Sequence, residues 1–360
     1  MKRLLVLLLL LLPLPMPATA QEVFVPASGP SAVDSPAAVD GPAVVDDEQR
    51  PPAPAARPDP GARRRPSMVG YVDDSSISSK VRIRYDAGYG MESPDRAEFF
   101  YAKCGCYRGL PPSNPAYDPN APGPGPGVVS NLNFGQLYIL GEFAPSEKFS
   151  VFAQLPFRFL RPDTFVPGTG SFGNQNGLSD ITFGAKGALI SKPERQLTAQ
   201  LQIGTPTGDA AKGLGTNHAT IEPSLLYEER PNDRFAFEAE FGDVIPTSGS
   251  AGVPTSSADN FSASVIYYGI GPSYEAYRSP ALSIVPVVEL VGWHVTGGFQ
   301  TPSNSTDSAA GGWDIVNIKF GARLMFKDHS SMYIGYGHAL TSDSWYNNIL
   351  RLEYRVALGR

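Results

Sequence analysis

From residue 78 to its C-terminus the chain repeats one unit, a stretch of about ten residues in which apolar and polar side chains alternate, closed by a turn. The last stretch is the clearest. Leu350, Leu352, Tyr354, Val356 and Leu358 fall on one face, and Arg351, Glu353 and Arg355 on the other. A side-chain period of two is a strand's period, so the chain builds ribbons with one oily and one charged face. The unit recurs about twelve times with no amphipathic helix pattern between, at strand lengths that suit a membrane barrel. Such ribbons either hide their oily faces against each other in a soluble sandwich or turn them to lipid. A closed barrel in a bilayer satisfies every backbone N–H and C=O and leaves no open edge.

The alternation predicts strands near 78–90, 130–143, 148–160, 178–190, 196–206, 217–229, 233–245, 259–276, 281–298, 312–327, 330–340 and 346–358. In the first, Val81, Ile83, Tyr85 and Ala87 oppose Lys80, Arg82, Arg84 and Asp86. In the third, Phe149, Val151, Leu155, Phe157 and Phe159 oppose Ser150, Gln154 and Arg158. In the tenth, Val316, Ile318, Phe320, Leu324 and Phe326 oppose Asn317, Lys319 and Arg323. Connector lengths carry separate information. Tight turns at 145–147, 191–195, 231–233, 278–280 and 327–329 alternate with loops at 91–129, 161–177, 207–216, 246–258, 299–311 and 341–345. Outer-membrane barrels have that asymmetry, with short periplasmic turns and longer external loops. Phe149, Phe159, Tyr227, Phe235, Trp313, Phe326, Tyr333, Tyr346 and Tyr354 lie near strand ends, where interfacial aromatic girdles belong. The predicted fold is therefore all-β, a transmembrane antiparallel barrel of about twelve strands, with a soluble β-sandwich as its competitor.

The N-terminal part divides by composition. Lys2 and Arg3 precede the apolar run 4–12, and Ala18-Thr19-Ala20 supplies small residues for cleavage before Gln21, so 1–20 reads as a secretory signal peptide. Residues 21–75 are rich in Pro, Ala, Asp and Val and read as a disordered periplasmic linker, unable to bury enough apolar surface to offset ordering. Arg63-Arg64-Arg65 within it is read as a solvated charge run, with contact to anionic headgroups as the alternative. The barrel occupies 76–360, with its longest external loop at 91–129. The formal net charge of −6 is diffuse and gives no reason to expect nucleic acid.

The charges predicted to face inward are segregated. Lys80, Arg82, Arg84, Lys319, Arg323, Arg351 and Arg355 stand on the first, tenth and twelfth strands, against Asp86 and Glu353. Glu222, Glu228, Glu238, Glu240 and Glu289 stand on the sixth, seventh and ninth. In a twelve-strand ring these sets face each other, giving a field across the lumen that would orient dipolar solutes and set ion selectivity. The plainer reading is that the charges pair with wall neighbours, for example Arg82 or Arg84 with Glu353, and keep the lumen hydrated.

Cys104 and Cys106 lie in the longest loop, and in an oxidising compartment they form a tight disulfide; free thiols and an intermolecular bond are the alternatives. The rest of that loop, 111–127, either folds over the mouth as a cap or stays external. Pro206-Thr207-Gly208-Asp209 has turn chemistry, and its one carboxylate is a thin basis for Ca²⁺. No metal or cofactor is expected. Neither G-x-S-x-G, H-E-x-x-H nor a phosphate loop occurs, and His218, His294, His329 and His338 are scattered, so no nucleophile is paired with a base in sequence.

Three short stretches carry a resemblance. Gly177-Leu178-Ser179-Asp180 leads into a strand. Pro206-Thr207-Gly208-Asp209 is followed by Gly213-Leu214-Gly215, and Tyr333-Ile334-Gly335-Tyr336-Gly337-His338 forms the penultimate strand. In order and spacing they resemble the MetA-pathway of phenol degradation family, over roughly 130–358. The resemblance implies an outer-membrane barrel that passes hydrophobic or aromatic compounds. Gly359-Arg360 departs from the terminal aromatic usual in such barrels, leaving Tyr354 and Leu358 as the assembly signal. The expected function is passage of small molecules through the lumen. A structural or adhesive barrel with a plugged lumen is the first alternative, a barrel hydrolase the second. Expected partners are outer-membrane lipids, solutes and the barrel assembly machinery.

Overall fold

The computed structural model describes residues 66–95, 100–247, 261–303, 306–326 and 329–358. The signal peptide, the linker as far as residue 65 with its arginine run, Phe99 and Gly359-Arg360 lie outside the described residues.

Twelve strands form one closed antiparallel ring. They are β1 Lys80–Met91, β2 Val129–Ser146, β3 Phe149–Phe165, β4 Thr182–Ser191, β5 Arg195–Gly204 and β6 Thr220–Glu229. Then follow β7 Phe235–Pro246, β8 Val265–Tyr274, β9 Leu282–Val295, β10 Trp313–Phe326, β11 Ser330–Ala339 and β12 Asn348–Ala357. Each pairs with its sequence neighbour, and β12 closes on β1 with Arg82 opposite Arg355 and Arg84 opposite Glu353. Closure removes the free edge, which is why strands this apolar do not pair further.

The faces sort as the alternation requires. Phe320 is 50% exposed and Phe241 58%, while Lys319 and Arg323, on the other face of β10, are wholly buried. Apolar side chains outside and charges inside invert the arrangement of a soluble protein, and a belt of this extent needs lipid against it. The sandwich reading is excluded: the large sheet closes on itself, and among the described residues the one other sheet is a two-stranded hairpin.

The fold departs from the sequence expectation in four places. Residues 66–75, grouped with the linker on composition, run inside the barrel, with Ser67, Val69 and Ser75 buried. Tyr333 and Tyr346 belong to no girdle; both point into the lumen, where Tyr333 has no exposure at all. The predicted fourth strand is interrupted: a short strand Gln175–Leu178 pairs with β3, and pairing resumes at Thr182. The external loop expected at 299–311 also carries a small hairpin, Phe299–Ser303 with Thr306–Ala309.

The lumen is filled. Met68, Val69 and Val72 pack on Val285, Val287, Val291 and Tyr333. Beyond them lies a larger aromatic layer that includes Phe100, Phe134, Leu160, Trp345 and Tyr346. Residues 100–128 fold over the mouth, burying Cys104, Cys106 and Tyr107 against Phe261.

Candidate functional site in the barrel lumen

An inward-facing charge must find a partner, because the barrel wall screens it poorly. For six of the twelve predicted wall charges that partner is the main chain of residues 67–73. The segment enters at the end that carries the short turns, where the Pro66 carbonyl accepts from Arg230. It bends through Gly70-Tyr71-Val72 beneath the aromatic layer and returns past Gln196 and Thr198, which both donate to the Ser75 carbonyl, to become β1.

Six consecutive amides of this segment donate to the acidic arc. Met68 and Val69 bond one oxygen of Glu238 at 2.7 and 3.3 Å. Gly70, Tyr71 and Val72 enclose the Glu289 carboxylate at 3.2, 2.8 and 2.7 Å. Asp73 bonds Glu240 at 2.8 Å. A run of N–H groups converging on one anion is a nest, and it replaces the water that Glu289 has lost. The hydroxyl of Tyr333 adds a further donor to Glu289 at 2.9 Å.

The basic arc takes the carbonyls. Arg323 donates to Met68 at 2.9 Å and to Val69 at 2.5 Å. Arg351 donates to Gly70 at 2.6 Å while its other nitrogens hold Asp86 in a two-point pair, both at 2.7 Å. Arg355 reaches the Ser67 and Val69 carbonyls at 3.4 and 3.2 Å. The segregated arcs therefore match the two polarities of a peptide backbone.

The other predicted wall residues divide between neighbours and plug. Lys80 pairs with Asp74 at 2.5 Å and Glu142 at 3.2 Å. Arg82 approaches Glu353 at 3.9 Å, and Arg84 lies 3.4 Å from Asp86 and over the Tyr138 ring. Lys319 donates to the Tyr346 hydroxyl at 2.7 Å and sits between the Tyr71 and Tyr346 rings. Glu228 pairs with Arg230 and accepts from Ser75. Glu222 stays within its own wall, with Thr220 and Gln202. Asp74, on the segment itself, is buried, which by itself raises its pKa. Lys80, Arg355 and Lys186 together outweigh burial and hold the carboxyl well below the usual carboxylate range.

The cap is fixed by Arg158 of β3. It bonds Gln136 at 2.9 Å and the Phe100 carbonyl at 2.5 Å, and its guanidinium lies 4.0 Å over the Phe100 ring. Cys104 and Cys106 are joined in a disulfide at the start of the short 3₁₀ turn Gly105–Gly109. Beside them Lys103 pairs with Asp118 at 2.9 Å; burial lowers its pKa, and Asp118 opposes that shift.

A family model described as "Putative MetA-pathway of phenol degradation" matches residues 137–340, more than half of the chain. The chain belongs to that family. No curated protein matches it. Among solved structures it is similar to an outer membrane channel from Pseudomonas putida F1, at 16% identity over 78% of this chain and 96% of that one, with a TM-score of 0.47. It is also similar to the NanC porin, at 8% identity over 78% and 100% with a TM-score of 0.41. A third is the β domain of the Bordetella autotransporter BrkA, at 12% over 78% and 100% with a TM-score of 0.44.

In this member of the MetA-pathway family the three resembling stretches have physical tasks. Asp180 lies in the interruption before β4. Its two oxygens accept from the Gly208 amide at 2.9 Å and from the Thr216 amide and hydroxyl at 2.7 and 3.0 Å. One carboxylate thus pins both ends of the loop that carries the second stretch. Asp209 sits in the turn that ends in Gly213 at a φ of 77°, and its side chain pairs with Lys212 at 2.9 Å. The third stretch sets Tyr333 in the lumen with Gly335 leaving room beside its ring.

Sequence reasoning missed the inward path of residues 66–75, the tasks of Asp180 and Arg158, and the inward turn of Tyr333. One signal was available for the first. The proline-rich run ends at Pro66, and Met68, Val69, Tyr71 and Val72 follow, too apolar for a solvated linker.

Proposed function

We propose that this barrel is an outer-membrane channel for small apolar or aromatic molecules, held shut by residues 66–79 from within and by residues 100–128 from outside. The observation that carries the reading is the aromatic layer where those two closures meet the wall. Phe100 and Phe134 lie 5.0 Å apart by ring centroid, Phe134 and Tyr346 lie 6.3 Å apart, and Tyr71 and Trp293 border them. Such a layer gives an aromatic solute face and edge contacts that water does not offer. Family membership supports the same substrate class. Once the segment has withdrawn, the two charged arcs face each other across open lumen, and we infer that they then bias ion passage. Outer-membrane lipid, the barrel assembly machinery and the solutes are the partners this reading requires, and it is non-enzymatic.

A sealed structural barrel is the second reading, favoured by the six amides bonded to the wall. Uptake into proteoliposomes separates the two. The channel reading expects a small aromatic to enter faster than a sugar of similar size and faster than into empty vesicles. Uptake equal to that of empty vesicles for every solute favours the sealed barrel.

A further inference from the structure

We propose that the lumen is a receptor for peptide main chain, able to take a free peptide in place of its own residues 66–76. The inference goes beyond solute passage and does not depend on it. Recognition of the resident segment is carried mainly by groups that every peptide possesses. Six successive N–H groups meet Glu238, Glu289 and Glu240, and the carbonyls of 67–70 meet Arg323, Arg351 and Arg355. An aromatic acid or an inorganic ion offers one charge to this strip and leaves the opposite arc unserved. A bent stretch of backbone serves both arcs at once.

Side chains add register. The ring of Tyr333 lies where a Cβ on residue 70 would be, 2.1 Å from it, so glycine is required at that position. Val69 and Val72 enter the patch formed by Val285, Val287 and Val291. The ligand class is thus a short peptide with glycine at its bend, small branched residues on either side, and an acidic residue four places after the glycine, where Asp74 meets Lys80 and Arg355. The resident segment is tethered and acts at an effective concentration on the order of millimolar, so it excludes free peptide until it is displaced.

The test uses the full chain with Gly70→Leu, whose own segment cannot seat under Tyr333, and independently with Val69→Asp, which sets a carboxylate against the apolar patch of Val285, Val287 and Val291. Hydrogen exchange at amides 68–73 reports release. The probe is a fluorescent acetylated and amidated peptide of residues 66–76, followed by polarisation in detergent. The expected result is saturable binding to both variants, at least tenfold tighter than to the unaltered chain. N-methylation of the amides of Tyr71 and Val72 weakens it at least tenfold, and replacing Asp73 and Ser76 by Ala changes it less than threefold. Absence of saturable binding to the released variants overturns the proposal, and so does equal binding of the N-methylated peptide. Amides 68–73 that stay protected in both variants overturn it as well, because the strip is then not exchangeable.

Discussion

Gly70 and Tyr333 fit as a socket and its cover: a methyl group added to Gly70 would overlap the Tyr333 ring, and the hydroxyl of that ring bonds Glu289, the carboxylate held by the Gly70 amide. One tyrosine therefore sets both the depth of the plug and the orientation of its principal anchor. Substituting Gly70 by Val expels the segment. In planar bilayers the variant should conduct several times more than the unaltered barrel, and Gly70→Val with Tyr333→Ala should return part of the way. Equal conductance of all three contradicts the relationship.

Glu289→Gln keeps the shape and removes the charge that three amides share. Breaking a buried charged partnership of this kind costs about 3 kcal/mol. Exchange at the amides of Gly70, Tyr71 and Val72 should accelerate roughly a hundredfold, at about 1.4 kcal/mol for each factor of ten. Glu222→Gln, whose partners are Thr220 and Gln202, should leave those three amides unchanged.

Asp180→Ala removes the acceptor shared by Gly208 and Thr216. Hydrogen bonds to a charged group are worth about 1.5–3 kcal/mol each, so loop 205–219 should detach while the ring stays closed. Cleavage by trypsin after the exposed Lys212 reads this directly: the variant should be cut at least tenfold faster, with unchanged migration of the folded barrel on gels.

His218 gives the same loop a pH dependence. It is buried outside the spanning strands, and burial lowers its pKa below 6.5, opposed by the Thr216 backbone and by Asp180. The folded loop prefers the neutral ring, so its stability is full above pH 6.5. It falls as pH drops through 6.5 and levels off below the lowered value. A nitroxide at Lys212→Cys should grow more mobile between pH 7.5 and 5, and His218→Gln should flatten that response. Mobility independent of pH in the unaltered loop refutes the assignment.

The ring was legible in the sequence because a bilayer enforces alternation strand by strand: Phe320 and Lys319 could not share a face. The segregation of Glu238, Glu240 and Glu289 from Arg323, Arg351 and Arg355 was legible too. What they hold was not, since backbone amides and carbonyls leave no mark in a sequence, and Met68 to Asp73 were read by the composition of the linker before them. Tyr333 was misassigned for a related reason. Aromatic residues near a strand end suit a girdle equally well, and only the glycines at 70, 321 and 335 reveal a ring lying flat inside.

The central claim is that residues 66–79 close the lumen and must leave for solutes to pass. It is tested by joining Ser75→Cys to Thr198→Cys, at the place where Thr198 bonds the Ser75 carbonyl, with a cleavable thiol crosslinker. The background is Cys104→Ser with Cys106→Ser, and bilayer conductance is recorded before and after cleavage. The account predicts current at the floor while the link is intact and recovery to the uncrosslinked level once it is cut. The same current in both states would contradict it.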